Sequence, residues 1–502
     1  MRKILPLFLL IPLYLYTPLF AQQPCQPERY IHKCFDSIDT IHDIQFGVAD
    51  DDLGNSVNLK LDVYQPAGDT LTRRPLVVMM FGGGFILGSK TDADMVAWCD
   101  SLASHGYVAV APNYRIGMDP VLIQSAKRAI YRAEQDCRAA VRFLVENYLT
   151  YGIDTNLIYI GGESAGAITA LNATFIDHES ERDTATYSSI LFPVDMGCID
   201  CSGNSFHHAV NVKGIIDLWG AMTDTSFIET ADSTALLMIH GTADAFVPYI
   251  EGYGFTVGYT FPYLYGSLRL NARASTVGLY HELYPFVGQP HLFYGAPSGV
   301  VTFPNQYWDT VFKLGNAFLY KTLQFPSPFP SGNVLTCAGS IETYIASGNA
   351  GSSYCWNVSG GTIVSSSGNT VAVEWGSSGT GLVNVIETNY NLVSGFVSDT
   401  LHVAVNICEA VKETPAESLF SIAPNPSSDH VTVNFNFGSE SEAALKLFAL
   451  NGKEALNIFN GRIKKGMQSV AINTQTLAPG VYLLELRTGK EVLHAKLVKI
   501  DE

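Results

Sequence analysis

The pentapeptide Gly162–Gly166 reads Gly-Glu-Ser-Ala-Gly and matches the pattern G-x-S-x-G. The strand-like run LIYIGG leads into it and the helix-like AITALNAT follows, so the local order is strand, sharp turn and helix. Glycines on both sides of Ser164 permit a strained turn that pushes the serine hydroxyl out at the carboxyl edge of a sheet. The pentapeptide alone is a weak signal, but its setting predicts that Ser164 is a nucleophile.

A serine hydroxyl is a poor nucleophile at neutral pH and needs a base, which in turn needs a carboxylate to orient it. Asp244 lies in HGTADAFVP, directly after the strand-like ALLMIH, and His291 lies in GQPHLF, shortly after the strand-like TVGLYHELY. The order Ser, Asp, His, each at the end of a strand, fits a nucleophile on such a turn. His240 and His281 compete with His291, but they fall at the end of strand-like runs or within them, where a structural histidine is expected. We therefore predict Asp244 as the acid and His291 as the base.

Three consecutive glycines, Gly82–Gly84, follow the strand-like run LVVMMF. The amides of a glycine loop can approach a substrate carbonyl closely because no Cβ intervenes. We predict that Gly83 and Gly84, together with the Ala165 amide beside the nucleophile, donate hydrogen bonds to an oxyanion. No Lys-Ser or Lys-Thr pair follows the glycines, so the loop does not match a phosphate-binding loop.

Cys198 and Cys201 form a C-x-x-C pair in a polar loop, with two histidines shortly after it. A zinc site is one interpretation, but no second cysteine pair or H-x3-H spacing follows. We favour a local disulfide or free thiols, and we predict neither a metal nor a cofactor. Cys99 and Cys137 fall in separate helix-like segments and are predicted to be buried thiols.

The elements that must position these residues lie between about residues 45 and 330. Continuous runs of Val, Ile and Leu indicate strands buried on both faces, and the helix-like segments between them indicate a mostly parallel sheet, so the predicted fold class is α/β. The strand-like runs are LVVMMF (76–81), YVAVAP (107–112), LIYIGG (157–162), VKGIIDLWG (212–220), ALLMIHG (235–241) and TVGLYHELY (276–284).

Two all-β segments follow the proline-rich PSPFPSGN at 326–333. Residues 337–407 alternate in polarity and are rich in Gly, Ser, Thr and Val, which predicts a small antiparallel sandwich. From residue 419 onward, alternating strands with Asn-Gly and Pro-Gly turns predict a second all-β module.

Composition and the first residues indicate an exported protein. The 502 residues carry a net charge of −17 without a basic block, which argues against a nucleic-acid partner.

Arg2 and Lys3 precede an apolar run that ends at Ala21, a pattern typical of a secretory signal peptide. A membrane anchor is the less favoured alternative because prolines interrupt the run. No later apolar run is long enough to span a membrane, so we expect no transmembrane segment in the mature chain. Export permits disulfides, and Cys25 and Cys34 could close the first segment.

Seven motifs, in this order, resemble the α/β-hydrolase superfamily, above all its carboxylesterase and hormone-sensitive-lipase-like branches: LKLDVYQPAG, LVVMMFGGGFILGSK, YVAVAPNYR, AEQDCRAAVRFL, IGGESAGA, LLMIHGTADAFVP and QPHLFY. The resemblance spans about residues 45–320. The family's catalytic serine, acid and histidine and its oxyanion donors fall on the residues already singled out: Ser164, Asp244, His291, Gly83, Gly84 and Ala165. These esterases usually begin the glycine motif with His, and here the position is Phe81; the donors are main-chain amides, so Phe need not abolish them.

Residues 419–502 resemble the C-terminal sorting domain of type IX (Por) secretion, through IAPNPSSDHVTV, LFALNGKE, LAPGVYLLELRTGK and KLVK. The resemblance implies the type IX secretion machinery as a partner. It also implies release or surface attachment after the signal peptide and the sorting domain are removed. The stretch 337–407 resembles PKD or immunoglobulin-like spacer modules through YCWNVSGGTIVSSSG and VAVEWG, with carbohydrate adhesion as the less favoured role.

The predicted organisation is a signal peptide (1–21), an α/β-hydrolase catalytic domain (22–331), a PKD/Ig-like β-sandwich (332–410), a linker (411–418) and a sorting domain (419–502). The predicted function is that of a secreted serine esterase acting on small-molecule or polysaccharide-linked esters through an acyl-enzyme. The alternatives are an exported serine peptidase on the same fold and a non-catalytic surface adhesin.

Overall fold

The structure is a computed structural model that describes residues 29–209, 211–254, 260–295, 302–408, 420–437, 439–489 and 492–501. The predicted signal peptide, Cys25 and the predicted linker lie outside these residues. The chain divides into two compact units, Met1–Ile407 and Cys408–Glu502.

The first unit is built on an eight-stranded sheet with the order β1-β2-β4-β3-β5-β6-β8-β11. The pairs β1–β2 and β2–β4 are antiparallel, and the other five pairs are parallel. This arrangement confirms the predicted α/β class with a mostly parallel sheet. Its strands are β1 (Ile38–Asp50), β2 (Ser56–Pro66), β3 (Arg74–Met80), β4 (Val108–Pro112), β5 (Ile153–Glu163), β6 (Gly214–Leu218), β8 (Ala235–Gly241) and β11 (His281–Phe286).

Three short strands form a separate antiparallel sheet in the order β7-β10-β9. They are β7 (Ala221–Met222), β9 (Glu251–Tyr253) and β10 (Tyr263–Gly266). The helices of this unit are α1 (Ala93–Ser104), α2 (Ile123–Glu146), α3 (Tyr148–Tyr151), α4 (Ala165–Phe175), α5 (Ser267–Val277) and α6 (Trp308–Leu323).

Burial explains why these strands read as continuous apolar runs. Every residue of β3, β4, β6 and β8 is buried, because helices or loops cover both faces of the sheet at its centre. Helix α1 packs on α6 through the rings of Trp98 and Trp308, whose centroids lie 5.5 Å apart. Cys99 and Cys137 are buried free thiols in α1 and α2, as predicted.

The predicted strand over residues 276–284 was wrong at its start. Helix α5 continues to Val277 and ends at Gly278, whose φ of +78° is in the left-handed region. The Gly278 amide donates to the carbonyl of Ala274, the usual way in which a glycine closes a helix. Strand β11 therefore begins only at His281.

The remainder of the first unit is a β-sandwich of two sheets with the orders β12-β14-β17-β16 and β13-β19-β18-β15. Trp356 and Trp375 are buried in its core, and the indole Nε1 of Trp375 donates to Tyr344 Oη at 2.9 Å. Both indoles therefore pack the sandwich and offer no exposed platform to a sugar. The strands are β12 (Pro330–Ser331), β13 (Leu335–Cys337), β14 (Ile341–Ala346), β15 (Ser353–Ser359), β16 (Gly361–Ser367), β17 (Thr370–Trp375), β18 (Gly379–Thr388) and β19 (Leu401–Asn406).

The second unit contains two antiparallel sheets with the orders β20-β21-β24 and β23-β22-β25-β26. Alternate residues of its strands are buried against one another, as the alternating polarity predicts. The strands are β20 (Phe420–Ala423), β21 (His430–Phe437), β22 (Ser441–Ala449), β23 (Glu454–Ile463), β24 (Gly466–Asn473), β25 (Gly480–Thr488) and β26 (Val492–Lys499). Within the described residues, no helix is both long enough and apolar enough to cross a membrane.

Candidate active site

Ser164 occupies the sharp turn between β5 and α4, with φ of +51° and ψ of −116°. A non-glycine residue in this region is uncommon and stores backbone strain. A Cβ built on Gly162 would lie 2.4 Å from the carbonyl carbon of Gly166, and one built on Gly166 would lie 2.1 Å from the carbonyl oxygen of Met80. The two flanking glycines therefore allow the helix to pack tightly on the strands below the serine.

The structure brings together the three residues predicted as nucleophile, base and acid. His291 Nε2 lies 2.9 Å from Ser164 Oγ, and His291 Nδ1 lies 2.6 Å from Asp244 Oδ2. Asp244 follows β8 and His291 follows β11, and these two parallel strands end at the same edge of the sheet as β5. His281, the rival base at the start of β11, instead contacts Ser275 Oγ and the backbone of its own turn.

The carboxylate of Asp244 is buried and fully engaged. Its Oδ1 accepts hydrogen bonds from the amides of Phe246 and Val247 at 2.8 and 2.9 Å. Burial raises the pKa of Asp244, but hydrogen bonds from His240 and His291 outweigh this effect and hold the pKa well below its usual value. Asp244 is therefore an anion at neutral pH, in the correct state to orient the imidazole of His291.

The glycine loop after β3 lies beside the serine turn, because Met80 of β3 pairs with Gly162 of β5. Gly83 and Gly84 have φ of +111° and +63°, and the carbonyl of Gly83 accepts hydrogen bonds from the next turn of the loop. Ala165 is the first residue of α4, whose leading N–H groups find no acceptor within the helix. The backbone amides of the three predicted oxyanion donors thus lie at the same edge of the sheet as Ser164.

Phe81 stands at the start of this loop, and Tyr114 holds it in place. Its ring stacks on Tyr114 with centroids 4.1 Å apart, and Tyr114 Oη donates to the Phe81 carbonyl at 3.0 Å. One tyrosine therefore supplies both a stacking partner and a hydrogen bond to the start of the loop. Phe85 also packs within this aromatic group, since the centroid of its ring lies 6.2 Å from that of buried Phe261, on which it stacks.

A buried pair of acids lies directly behind the nucleophile, and sequence reasoning missed it. Glu163 and Asp94 are hydrogen-bonded to each other, and Tyr294 Oη donates to Glu163 Oε2 at 3.0 Å. Burial raises the pKa of Glu163 well above its usual value, and the adjacent charge of Asp94 raises it further. A proton between two carboxylates is what lets them hydrogen-bond to each other, so the buried pair holds a proton more tightly than a free carboxyl does.

This pair should make stability depend on pH. The folded state keeps a proton that the unfolded chain releases above the ordinary Glu value of 4.5. The stabilisation is therefore complete below that value and declines as the pH rises towards the raised pKa, with a slope of about 1.4 kcal/mol per pH unit for one proton. We expect Glu163→Gln, which keeps the shape without an ionisable proton, to remove this slope.

Chemical denaturation at several values between about pH 6 and about pH 9 measures this effect as the free energy of unfolding. The exposed Glu229 gives the matched control Glu229→Gln, which should keep the slope of the wild type. Parallel curves for wild type and Glu163→Gln would show that the pair holds no extra proton.

The predicted C-x-x-C pair forms a disulfide between Cys198 and Cys201. Among the residues that the structure describes, no group of three or more His, Cys, Asp or Glu side chains is arranged to hold a metal ion.

The aromatic segment 253–268 was open to two interpretations, a cleft lining or a packed loop, and residues 255–259 of it lie outside the described part. Phe261 is packed beneath the glycine loop. Tyr253 and Tyr263 line a cavity of about 520 Å³ beside α2 and α4, and neither Ser164 nor His291 lines it.

A serine turn after a central strand, followed along the chain by an acid and a histidine on later strands, defines the α/β-hydrolase class. Residues 61–230 match the BD-FAE family, and residues 421–500 match the family described as "Secretion system C-terminal sorting domain". The chain therefore contains an α/β-hydrolase domain of the BD-FAE type and a Por-type sorting domain. The latter indicates export to the cell surface or the extracellular space by type IX secretion, and the predicted localisation is confirmed.

Relatives with curated names support the same class. Carboxylesterase 3B of Mus musculus is 30% identical over 164 residues, which are 32% of this chain and 24% of the relative. Secreted lipase 1 of Botryotinia fuckeliana is 31% identical over 120 residues, which are 23% of this chain and 21% of the relative. The matched part of the chain thus spans less than a quarter of the length of each of these relatives. A solved structure of Thermogutta terrifontis esterase 2, phosphoramylated by tabun, is similar with a TM-score of 0.40 and 20% identity, over 56% of this chain and 94% of that chain.

Proposed function

We propose that the protein is a secreted serine esterase that hydrolyses carboxylic esters through an acyl-enzyme on Ser164. The observation that carries this proposal is the unbroken line of hydrogen bonds from Ser164 Oγ to His291 and on to the Asp244 carboxylate. Three residues from three separate loops meet with the geometry that nucleophilic catalysis requires. The names of the carboxylesterase and lipase relatives favour an ester as the substrate.

In the first step, His291 Nε2 takes the proton of Ser164 as Oγ bonds to the ester carbonyl carbon. The π electrons of the carbonyl move onto its oxygen, and the amides of Gly83, Gly84 and Ala165 stabilise the charge that develops there. The carbon–oxygen bond to the alcohol then breaks, and His291 gives its proton to the leaving oxygen.

In the second step, water takes the place of the alcohol. His291 removes a proton from this water, which attacks the acyl carbon and forms a second oxyanion in the same amide pocket. Collapse of this intermediate releases the carboxylic acid and returns the proton to Ser164. Throughout both steps, Asp244 keeps the imidazole oriented and stabilises its protonated form.

Two exposed apolar side chains lie beside parts of the proposed site. The ring of Phe246 lies 5.3 Å from the His291 ring, and half of the Phe246 side chain is exposed. Leu87, in the loop that carries the oxyanion donors, is 60% exposed. These side chains would contact the acyl or alcohol group of the substrate, which we propose to be a small-molecule or polysaccharide-linked ester. The type IX secretion machinery would be the partner that recognises the sorting domain.

A fluorophosphonate probe tests the proposal because it phosphonylates only an activated serine. We expect the labelled peptide, identified by mass spectrometry, to contain Ser164. Parallel assays with p-nitrophenyl esters and peptide anilides should show turnover of the esters. Preferential cleavage of the anilides would favour the peptidase alternative, and an unlabelled, inactive protein would contradict both enzymatic alternatives.

The oxyanion loop makes a further prediction, for Gly83→Ala. A Cβ at this position would lie 2.2 Å from the carbonyl oxygen of Leu87, and the φ of +111° is unfavourable for alanine. The loop must shift, and the displaced amide should lower kcat by about 100-fold. Steady-state kinetics measures this change.

Gly54→Ala is the matched control, because Gly54 has φ of +82° and no atom within 4 Å of a built Cβ. It carries the backbone strain of a positive φ without a steric clash near the site. Equal activities of Gly83→Ala and wild type would exclude this loop as the oxyanion pocket.

A further inference from the structure

Asp244 is shared by two histidines. His240 Nε2 lies 3.3 Å from Asp244 Oδ2, the same oxygen that receives the His291 ring. His240 is the penultimate residue of β8 and is fully buried. Its Nε2 also lies 3.1 Å from the carbonyl oxygen of Val247. The predicted structural histidine thus contacts the proposed catalytic acid directly.

The neighbours of His240 fix where its protons are. The two groups facing Nε2, a carboxylate oxygen and a carbonyl oxygen, can only accept hydrogen bonds, so Nε2 must carry a hydrogen. This N–H has two acceptors, the Asp244 carboxylate and the carbonyl of Val247. It supplies a second donor to the carboxylate, in addition to His291.

The other nitrogen of His240 faces a buried relay. His240 Nδ1 lies 2.8 Å from Ser267 Oγ, at the start of α5, and Ser267 Oγ lies 3.2 Å from Asp217 Oδ2 of β6. All three side chains are fully buried. Asp217 is held in turn by the Gly220 amide, which donates to its Oδ1 at 2.7 Å.

Two proton arrangements satisfy this relay. In one, Asp217 is protonated and donates to Ser267, which donates to a neutral His240. In the other, a protonated His240 donates to Ser267, which donates to the Asp217 carboxylate. Burial raises the pKa of Asp217 to about 6, with the charge of His240 opposing this effect. Because Asp217 and His240 together are neutral in both, the relay adds no net charge beside Asp244.

We propose that His240 is a positioning residue for the reaction, a second histidine that keeps the Asp244 carboxylate directed at His291, with Ser267 and Asp217 fixing which hydrogens His240 presents. This inference rests on the proposed function, since it assigns a role towards the same acid. His240 reaches neither Ser164 nor the substrate position, so it acts only through Asp244.

The groups that face His240 come from every neighbouring element. They are Asp217 from β6, Ser267 from α5, Asp244 and the Val247 carbonyl from the loop after β8, and the ring of Tyr249 with its centroid at 5.6 Å. Asp244 and Asp217 are the charged groups among them. A change in the pH profile on substitution of His240 would therefore arise from its interaction with these two carboxyl groups.

Two substitutions of His240 separate its donors. Glutamine places its amide nitrogen near the position of Nε2 and can still donate to Asp244, whereas the shorter asparagine reaches only the position of Nδ1. We expect His240→Asn to lower kcat about 10- to 100-fold with KM nearly unchanged. The acid limb of the pH profile should move to higher pH. Without the hydrogen bond from His240, the negative charge of Asp244 stabilises protonated His291 more strongly. His240→Gln should restore most of the activity and the wild-type profile.

His281→Asn is the matched control, since His281 starts the neighbouring strand and its ring contacts Ser275 Oγ and the Leu279 carbonyl. It should leave both kcat and the profile unchanged. If His240→Asn does not fold, Ser267→Ala provides a second variant, which removes the contact with Nδ1 and should produce a smaller shift in the same direction.

A readout without turnover keeps this inference distinguishable from the proposed function. The proton NMR signal of the His291 Nδ1–H, which is hydrogen-bonded to Asp244, should move in His240→Asn and return in His240→Gln. An unmoved signal and an unmoved pH profile would overturn the inference while Ser164-dependent ester hydrolysis stands. Absence of hydrolysis and of labelling in the wild type would overturn the proposed function, and the NMR signal would still decide the role of His240.

Discussion

Substitution of Ser164 by alanine should abolish ester hydrolysis and leave the fold intact. The variant lacks the hydroxyl that forms the acyl-enzyme, so kcat should fall by about 10⁴- to 10⁶-fold, to the residual rate that an oxyanion pocket and substrate binding alone can provide. Alanine has the same Cβ as serine and therefore meets the same backbone at φ of +51°. Initial rates with p-nitrophenyl esters measure the loss, and circular dichroism measures the fold.

The exposed Ser226 provides the control for this prediction, because Ser226→Ala removes a hydroxyl without touching the site. It should retain both full turnover and fluorophosphonate labelling. Full turnover by a folded Ser164→Ala protein would contradict the nucleophilic role and with it the proposed mechanism.

The sequence predicts which residues of the candidate site lie close together where their positions are tied to the ends of strands. Ser164, Asp244 and His291 each follow an apolar run, and the edge of a parallel sheet brings such positions together whatever lies between them.

Local sequence patterns do not predict contacts between side chains that lie far apart in the chain. Glu163 stood in the serine motif as an unspecified residue, and only the fold places Asp94 and Tyr294 against it, the latter 131 residues away. His240 was interpreted as a structural histidine because it lies in a strand. Its burial agrees with that interpretation, but its contact with Asp244 depends on how the loop after β8 turns back on the strand.

The bounds of α5 show a second limit. The run TVGLYHELY is apolar and β-branched enough to predict one strand, yet its first residues form the last turn of a helix. Local propensity was outweighed because Gly278, in the left-handed region, closes the helix and lets β11 start after it. This error at the start of the strand does not change the predicted position of His291, which depends on where the strand ends.

Substitution of Asp244 by asparagine should lower kcat by about 10⁴-fold, because it would reverse the tautomer of His291. The amides of Phe246 and Val247 donate to Oδ1 at 2.8 and 2.9 Å, so the amide oxygen of the asparagine would take that position. Its NH₂ group would then face His291 Nδ1, which would have to accept, and the ring hydrogen would move to Nε2. An Nε2 that already carries a hydrogen cannot take the proton of Ser164.

The control is Asp224→Asn, since Asp224 is exposed and its carboxylate likewise accepts a hydrogen bond from a backbone amide, that of Ser226 at 2.8 Å. This variant should keep the wild-type kcat, whereas Asp244→Asn should lose both turnover and the rate of fluorophosphonate labelling to a similar degree, because both reactions need the same proton transfer. Asp244→Asn turnover within tenfold of wild type would mean that His291 needs no anion at Nδ1. The line of hydrogen bonds would then end at His291, and a two-residue Ser–His mechanism would replace the one proposed.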